Sequence, residues 1–306
     1  MFPAFLPATA TELVEPTSIA LAQQLQQRAI ATPLGDRPIL TAYVHQGADK
    51  QQEPNQPPLL LLHGFDSSVM EFRRLLPLLA EQREAWAVDL LGFGFTERGT
   101  GLAFSAQEIK LHLYHTWKTL IHRPVVLVGA SMGGAAALDF ALSYPEAVTA
   151  LVLLDSAGAA KGPNMGRLLL PPLGFLATEF LRNPRVRQGI SRSAYCDPAF
   201  ASADAACCAA LHLQCEGWSQ AMIAFTRSGG YNVLTWEHIA QVQQPTLILW
   251  GREDRILGTA DATRFEQTIS HSKLVWLDRC GHVPHLEQPA IAAHHILEFL
   301  DQASSQ

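Results

Sequence analysis

Several stretches along this chain are apolar at all or nearly all positions. Leu59–Leu62 is four leucines between Pro58 and His63, residues 125–128 read VVLV, 148–154 read VTALVLL and 246–250 read TLILW. Runs of this length, bounded by turn residues, predict strands buried on both faces of a parallel sheet. AWAV at 85–88 and KLVWL at 273–277 predict two more strands, and PILTAYVH at 38–45 an alternating one before them. Elsewhere the apolar positions fall at helical spacing, over 71–82, 105–121, 132–143 and 288–302. Ser105 stands as a helix cap, and Glu108 three positions later completes a capping box. Residues 17–28 predict a short helix, and the polar, proline-rich stretch 46–58 a surface turn. Strands and helices alternate with short connections. This predicts an α/β fold, a mostly parallel central sheet flanked by helices on both faces.

The alternation breaks once. Residues 156–244 hold no convincing strand run but several helical patches, punctuated at Gly162-Pro163, Pro171-Pro172, Asn183-Pro184 and Gly229-Gly230. A compact domain does not carry a structureless loop this long. The stretch is therefore expected to be a helical cap inserted between two core strands. The organisation that follows is an N-terminal arm over 1–36, loosely held, a core over 37–155 and 245–306, and a cap over 156–244.

The chemistry centres on Gly129-Ala130-Ser131-Met132-Gly133, a G-x-S-x-G sequence between a buried strand and a helix. That setting suits a nucleophilic serine on a sharp, strained turn. Small neighbours let strand and helix approach, and Gly129, Gly133 and Gly134 supply them. The turn aims the Met132 amide at the space where an oxyanion would form. A base is needed to take the hydroxyl proton. Of 12 histidines, His282 stands out, just after the last strand in Cys280-Gly281-His282. Asp254 follows the TLILW strand, and Ser131, Asp254, His282 is a chain order consistent with a triad on this kind of sheet. Its carboxylate would fix the tautomer and orientation of the imidazole. Asp155, after the 148–154 strand, and the adjacent Glu253 stay open as alternatives for the acid.

Composition narrows the partners. The 306 residues are 48% hydrophobic and 16% charged, with a net charge of −6. That suits one large domain with an ample core. There is no basic stripe, so nucleic acid is not an expected partner. Five cysteines, an odd number at spacings that fit no zinc pattern, suggest reduced thiols in a cytoplasmic protein. No lysine or arginine precedes Arg28, so a signal peptide's positive region is missing, and no apolar run is long enough for a transmembrane segment. Neither a metal nor a cofactor is expected, and nothing here bears on oligomeric state.

With LLLLHGFDSS, VDLLGFGFTER, GASMGG, LILWGREDR and CGHVPHLEQP in order, the chain resembles the α/β-hydrolase superfamily over residues 38–300. Within it the chain is similar to the branch of esterases, haloperoxidase-like enzymes and carbon–carbon hydrolases. Asp89-Leu90-Leu91-Gly92-Phe93-Gly94 is also similar to pheophytinase-like hydrolases of photosynthetic organisms. The resemblance implies a second oxyanion donor at the Phe65 amide, with His63 and Gly64 propping its loop. It implies a serine hydrolase that cleaves an ester or thioester of a small, largely apolar substrate through an acyl-Ser131 intermediate. Carbon–carbon hydrolases usually place an aromatic residue soon after the histidine, whereas Val283-Pro284-His285 follows here. Carbon–carbon hydrolysis, haloperoxidase-like chemistry and a non-catalytic ligand receptor are the alternatives. In the cap, Trp218 and Phe225 are candidate pocket residues. Arg182, Arg185, Arg187 and Arg192 read either as a carboxylate clamp or, preferably, as a solvated helix face.

Overall fold

The computed structural model describes residues 1–47, 56–159 and 172–304. Most of the turn expected over 46–58, and the punctuation at Gly162-Pro163 and Pro171, lie outside them. The strands are β1 Gln26–Ile30, β2 Ile39–Gln46, β3 Leu59–Leu62, β4 Ala85–Val88, β5 Val125–Ala130, β6 Val148–Leu154, β7 Thr246–Gly251 and β8 Ser272–Leu277. They form one sheet in the order β1-β2-β4-β3-β5-β6-β7-β8. β1 and β2 pair antiparallel, as do β2 and β4, and every later pairing is parallel.

Every residue of β3, β4 and β5 is buried, because both faces of the sheet are covered. Leu60, Leu62 and Leu127 enter one apolar cluster, with Ile109 of α3 (Ala106–Leu120) and Leu138 of α4 (Met132–Ser143). Leu59, Leu61 and Val126 enter the other, with Leu21 of α1 (Pro16–Gln24), Leu76 of α2 (Leu75–Ala80) and Ile296 of α12 (Pro289–Ser304). The period-two pleat thus divides one apolar run between two cores. The capping box on α3 forms as expected, with Ser105 Oγ accepting from Glu108 N and Glu108 from Ser105 N.

The N-terminal stretch differs from expectation. The helix expected to reach Arg28 stops at Gln24, and residues 26–30 form the edge strand β1. Only Ile30 of that strand is buried, so the sequence shows no period-two signal, and pairing with β2 decides the conformation. Nor is the arm loose. Leu6, Leu13, Leu21 and Leu25 are core residues, and Asp204 accepts hydrogen bonds from Val14 N, Glu15 N and Ser18 Oγ at 2.5–2.9 Å.

Between β6 and β7 the described residues hold helices and no strand. These are α5 Leu173–Arg182, α6 Pro184–Ala194, α7 Ala203–Ala210, α8 Trp218–Ser228 and α9 Trp236–Ile239. After β7 come α10 Ala260–Thr268, β8 and α11 Pro284–Glu287.

Candidate active site

Ser131 is the single residue between β5 and α4, with φ 51° and ψ −118°. A non-glycine residue there carries backbone strain of order 1–3 kcal/mol, held by its surroundings. Its N–H donates to Leu154 O at 3.0 Å, and its carbonyl accepts from Ala157 N at 2.9 Å. The turn is too tight for side chains at its flanks. A Cβ at Gly129 would lie 2.4 Å from Gly133 O, and one at Gly133 would lie 2.0 Å from Leu62 O.

β5, β6, β7 and β8 are consecutive neighbours, and each carries a candidate just past its carboxyl end: Ser131, Asp155, Asp254 and His282. Asp254 Oδ2 lies 3.0 Å from His282 Nδ1. Its Oδ1 accepts from Ile256 N at 2.7 Å and Leu257 N at 3.0 Å. Burial alone would raise the Asp254 pKa. The His282 hydrogen bond and charge, with the two backbone donors, hold it below the ordinary value instead. Asp155 goes the other way. Burial, then the Asp254 charge, pushes it well above the carboxylate range. Its Oδ1 accepts from Gly251 N at 3.0 Å, while its buried Oδ2 has no donor among the described residues. Asp155, Asp254 and His282 offer ligand atoms within 4.8 Å of one another, a spacing a metal ion could use. Asp254 already has three donors, His282 Nδ1 and the Ile256 and Leu257 amides.

The Met132 N–H is the first of α4 and has no intrahelical acceptor. Across from it, a Cβ built on Gly64 would lie 3.4 Å from the Ser131 Cβ, so the loop after β3 abuts the serine. Gly64 N–H is committed to Glu71 Oε2 at 3.0 Å. Phe65 N–H has no acceptor among the described residues. His63 sits behind, donating from Nδ1 to Gly64 O at 2.8 Å and accepting Leu90 N–H at Nε2, 3.1 Å away. Burial lowers it to about 4, so it is neutral. Glu71 lies 2.9 Å from His285. Burial would raise it, but the His285 hydrogen bond and charge and the Ser67 hydroxyl hold it down to about 2.

Three of these residues escaped the sequence reading: Glu71, Asp66 and Glu287. Asp66 accepts from Trp218 Nε1 (2.9 Å) and His212 Nε2 (3.0 Å) through Oδ1, and from Arg187 Nη1 (2.7 Å) through Oδ2. This ties the loop after β3 to the helical insert. Burial works against the Asp66 charge, but His212 and Arg187 hold it down to about 2. Glu287 accepts from Gly281 N (2.7 Å), Cys196 N (3.0 Å) and Asp197 N (2.7 Å), while His282 N donates to Ala194 O at 2.7 Å. The insert is thus joined to the His282 loop as well. The only sequence signal was an acid within an otherwise apolar or turn segment, which does not reveal long-range partners.

Trp218 is fully buried, with Arg182 4.7 Å above its ring. Phe225 stacks on the half-exposed Phe65 at 5.7 Å and meets Phe93 edge-on at 5.1 Å, placing an aromatic wall beside the loop after β3. The four arginines do not converge. Arg187 pairs with Asp66 and Arg182 with Glu179, whereas Arg185 and Arg192 are exposed.

Residues 57–289 match the model of a family described as alpha/beta hydrolase fold. The alpha/beta hydrolase domain-containing protein VTE7 of Arabidopsis thaliana is 32% identical over 308 residues, spanning 99% of this chain and 91% of its own length. The 2-hydroxy-6-oxo-2,4-heptadienoate hydrolase of Pseudomonas putida is 30% identical over 239 residues, 76% of this chain and 84% of its own. Among solved structures, a serine hydrolase involved in carbazole degradation superposes with a TM-score of 0.73 at 25% identity, covering 91% of this chain and 99% of its own.

Proposed function

Because the chain belongs to the alpha/beta hydrolase fold family, we propose that it is a serine hydrolase that cleaves a carboxylic ester or thioester through an acyl-Ser131 intermediate. The observation that carries this reading is the strained Ser131 in the strand-to-helix turn beside the loop after β3, with the Asp254–His282 pair at neighbouring strand ends. In the proposed mechanism His282 takes the Ser131 proton as the hydroxyl oxygen attacks the acyl carbon. Asp254 holds Nδ1–H, so that Nε2 is the base, and stabilises the imidazolium. The Phe65 and Met132 amides donate to the oxyanion, each such donor being worth about 2.7–4 kcal/mol of barrier. His282 then protonates the leaving alcohol or thiol, and water, activated by the same imidazole, releases the acid.

The helical insert acts as the cap, and the Phe65–Phe93–Phe225 wall favours a small, largely apolar substrate that needs no cofactor. The five cysteines are free thiols, which supports a reducing, cytoplasmic setting; among the described residues no helix is long and apolar enough to cross a membrane. Hydrolysis of short p-nitrophenyl esters tests the reading. Wild type should turn over and label with a fluorophosphonate at Ser131, and Ser131→Ala should do neither. Equal rates for the two would overturn it. A carbon–carbon hydrolase is the second reading, supported by the similarity to the Pseudomonas putida enzyme. Turnover of a 2-hydroxy-6-oxo-dienoate in preference to esters would select it.

A further inference from the structure

The outer surface of the insert carries an unusual concentration of exposed apolar side chains. Leu173, Phe175, Leu176 and Phe180 of α5 and Ile190 of α6 are each between 47% and 64% exposed. On α5, Leu173, Leu176 and Phe180 stand at i, i+3 and i+7, one stripe of the helix. The buried positions, Gly174 and Thr178, lie on the other side, where Gly174 meets Ile223 of α8. The stripe therefore points away from the body of the protein. α6 buries none of its residues.

Charge follows a matching pattern. Residues 173–194 contain four arginines (Arg182, Arg185, Arg187 and Arg192) against the single acid Glu179; Arg182 pairs with Glu179 and Arg187 with Asp66 of the loop after β3, which leaves the positive charges of Arg185 and Arg192 on this surface. Arg185 and Arg192 are exposed, with no ion pair among the described residues.

We propose that α5 and α6 form a docking face for an anionic phospholipid bilayer, with Leu173, Leu176 and Phe180 seated among the acyl chains and Arg185 and Arg192 on lipid phosphates. Exposed apolar patches of this kind mark interaction surfaces. A helix pair that exposes large apolar residues together with arginines that have no ion pair among the described residues matches the interfacial zone of a bilayer. A second copy of the chain fits less well, since a two-fold contact would set the Arg185 and Arg192 charges of one copy against those of the other. The inference does not rest on the catalytic reading, and its test does not use turnover.

Co-sedimentation with phosphatidylcholine vesicles, with and without phosphatidylglycerol, tests it. The wild-type chain should partition onto the anionic vesicles, about tenfold more than onto phosphatidylcholine alone, and high salt should release it. Leu176→Asp with Phe180→Asp, and separately Arg185→Glu with Arg192→Glu, should each cut binding by about tenfold with unchanged circular dichroism and thermal midpoint. These positions are exposed, so the variants should fold. Wild-type protein left in the supernatant with anionic vesicles would overturn the proposal, as would variants that bind like wild type. A concentration-dependent dimer dispersed by the aspartate pair would overturn it too, by showing that a second copy covers the face.

Discussion

Asp155 and Asp254, on neighbouring strand ends, present carboxyl oxygens within 4.8 Å of each other, and both approach the His282 imidazole to the same limit. Their environments separate them. His282 and two backbone donors hold the Asp254 pKa below its ordinary value, whereas burial and the Asp254 charge push that of Asp155 well above the carboxylate range. Asp155→Asn keeps the shape of the side chain and removes an acid whose charged form burial and the Asp254 charge disfavour. It should leave ester turnover at neutral pH within a few-fold of wild type, while Asp254→Asn should cost about 10⁴-fold in kcat by losing the required tautomer. Steady-state kinetics on both variants, with circular dichroism as a folding control, checks this. Equal losses would mean that the two share the orienting charge.

Gly133→Ala should damage the site more than its size suggests. The added methyl would lie 2.0 Å from Leu62 O and 2.6 Å from His63 O, backbone atoms that must shift and carry the Phe65 loop away from Ser131. A loss of at least about 3 kcal/mol is expected, read as a lowered thermal midpoint with esterase activity falling further still. Gly189→Ala on the exposed α6 has open space around its Cβ. It should be neutral or stabilise by up to about 1 kcal/mol.

Asp66 and Glu71 set an acid limit. Both have folded pKa values of about 2, below their ordinary values. The unfolded chain therefore binds these protons more readily than the folded one. The stability they contribute is fully present above about pH 4.5 and drains away as pH falls toward 2. Thermal melts across that window should show a steep decline in the wild type, and Asp66→Asn should flatten part of it while lowering stability at neutral pH.

Asp66→Ala should cost about 3 kcal/mol or more, because it strands the buried donors of Trp218 and His212 and the partly buried Arg187 guanidinium. Freed from the insert, the loop carrying Phe65 should also position its amide less well. kcat is then expected to fall while Ser131 keeps its reactivity toward a small fluorophosphonate, a split that gel labelling alongside kinetics would detect.

The central sheet was legible in the sequence because strands buried on both faces must be apolar throughout, as 59–62 and 125–128 are. Ser131 was legible because a strained elbow tolerates so few neighbours. β1 was not, since an edge strand with one buried residue has no pattern to show. Asp66, Glu71 and Glu287 escaped for a different reason. Each bonds to groups that only the folded chain brings near, as Asp66 does to Trp218, 152 positions away, and a lone acid gives no hint of a distant donor.

Glu287 and the Ala194 carbonyl fasten the insert to the same short loop that presents His282. In the proposed mechanism, an insert moored there cannot swing at that margin without dragging the proposed base with it. Any motion that loosened this corner would then switch turnover off for as long as it lasted.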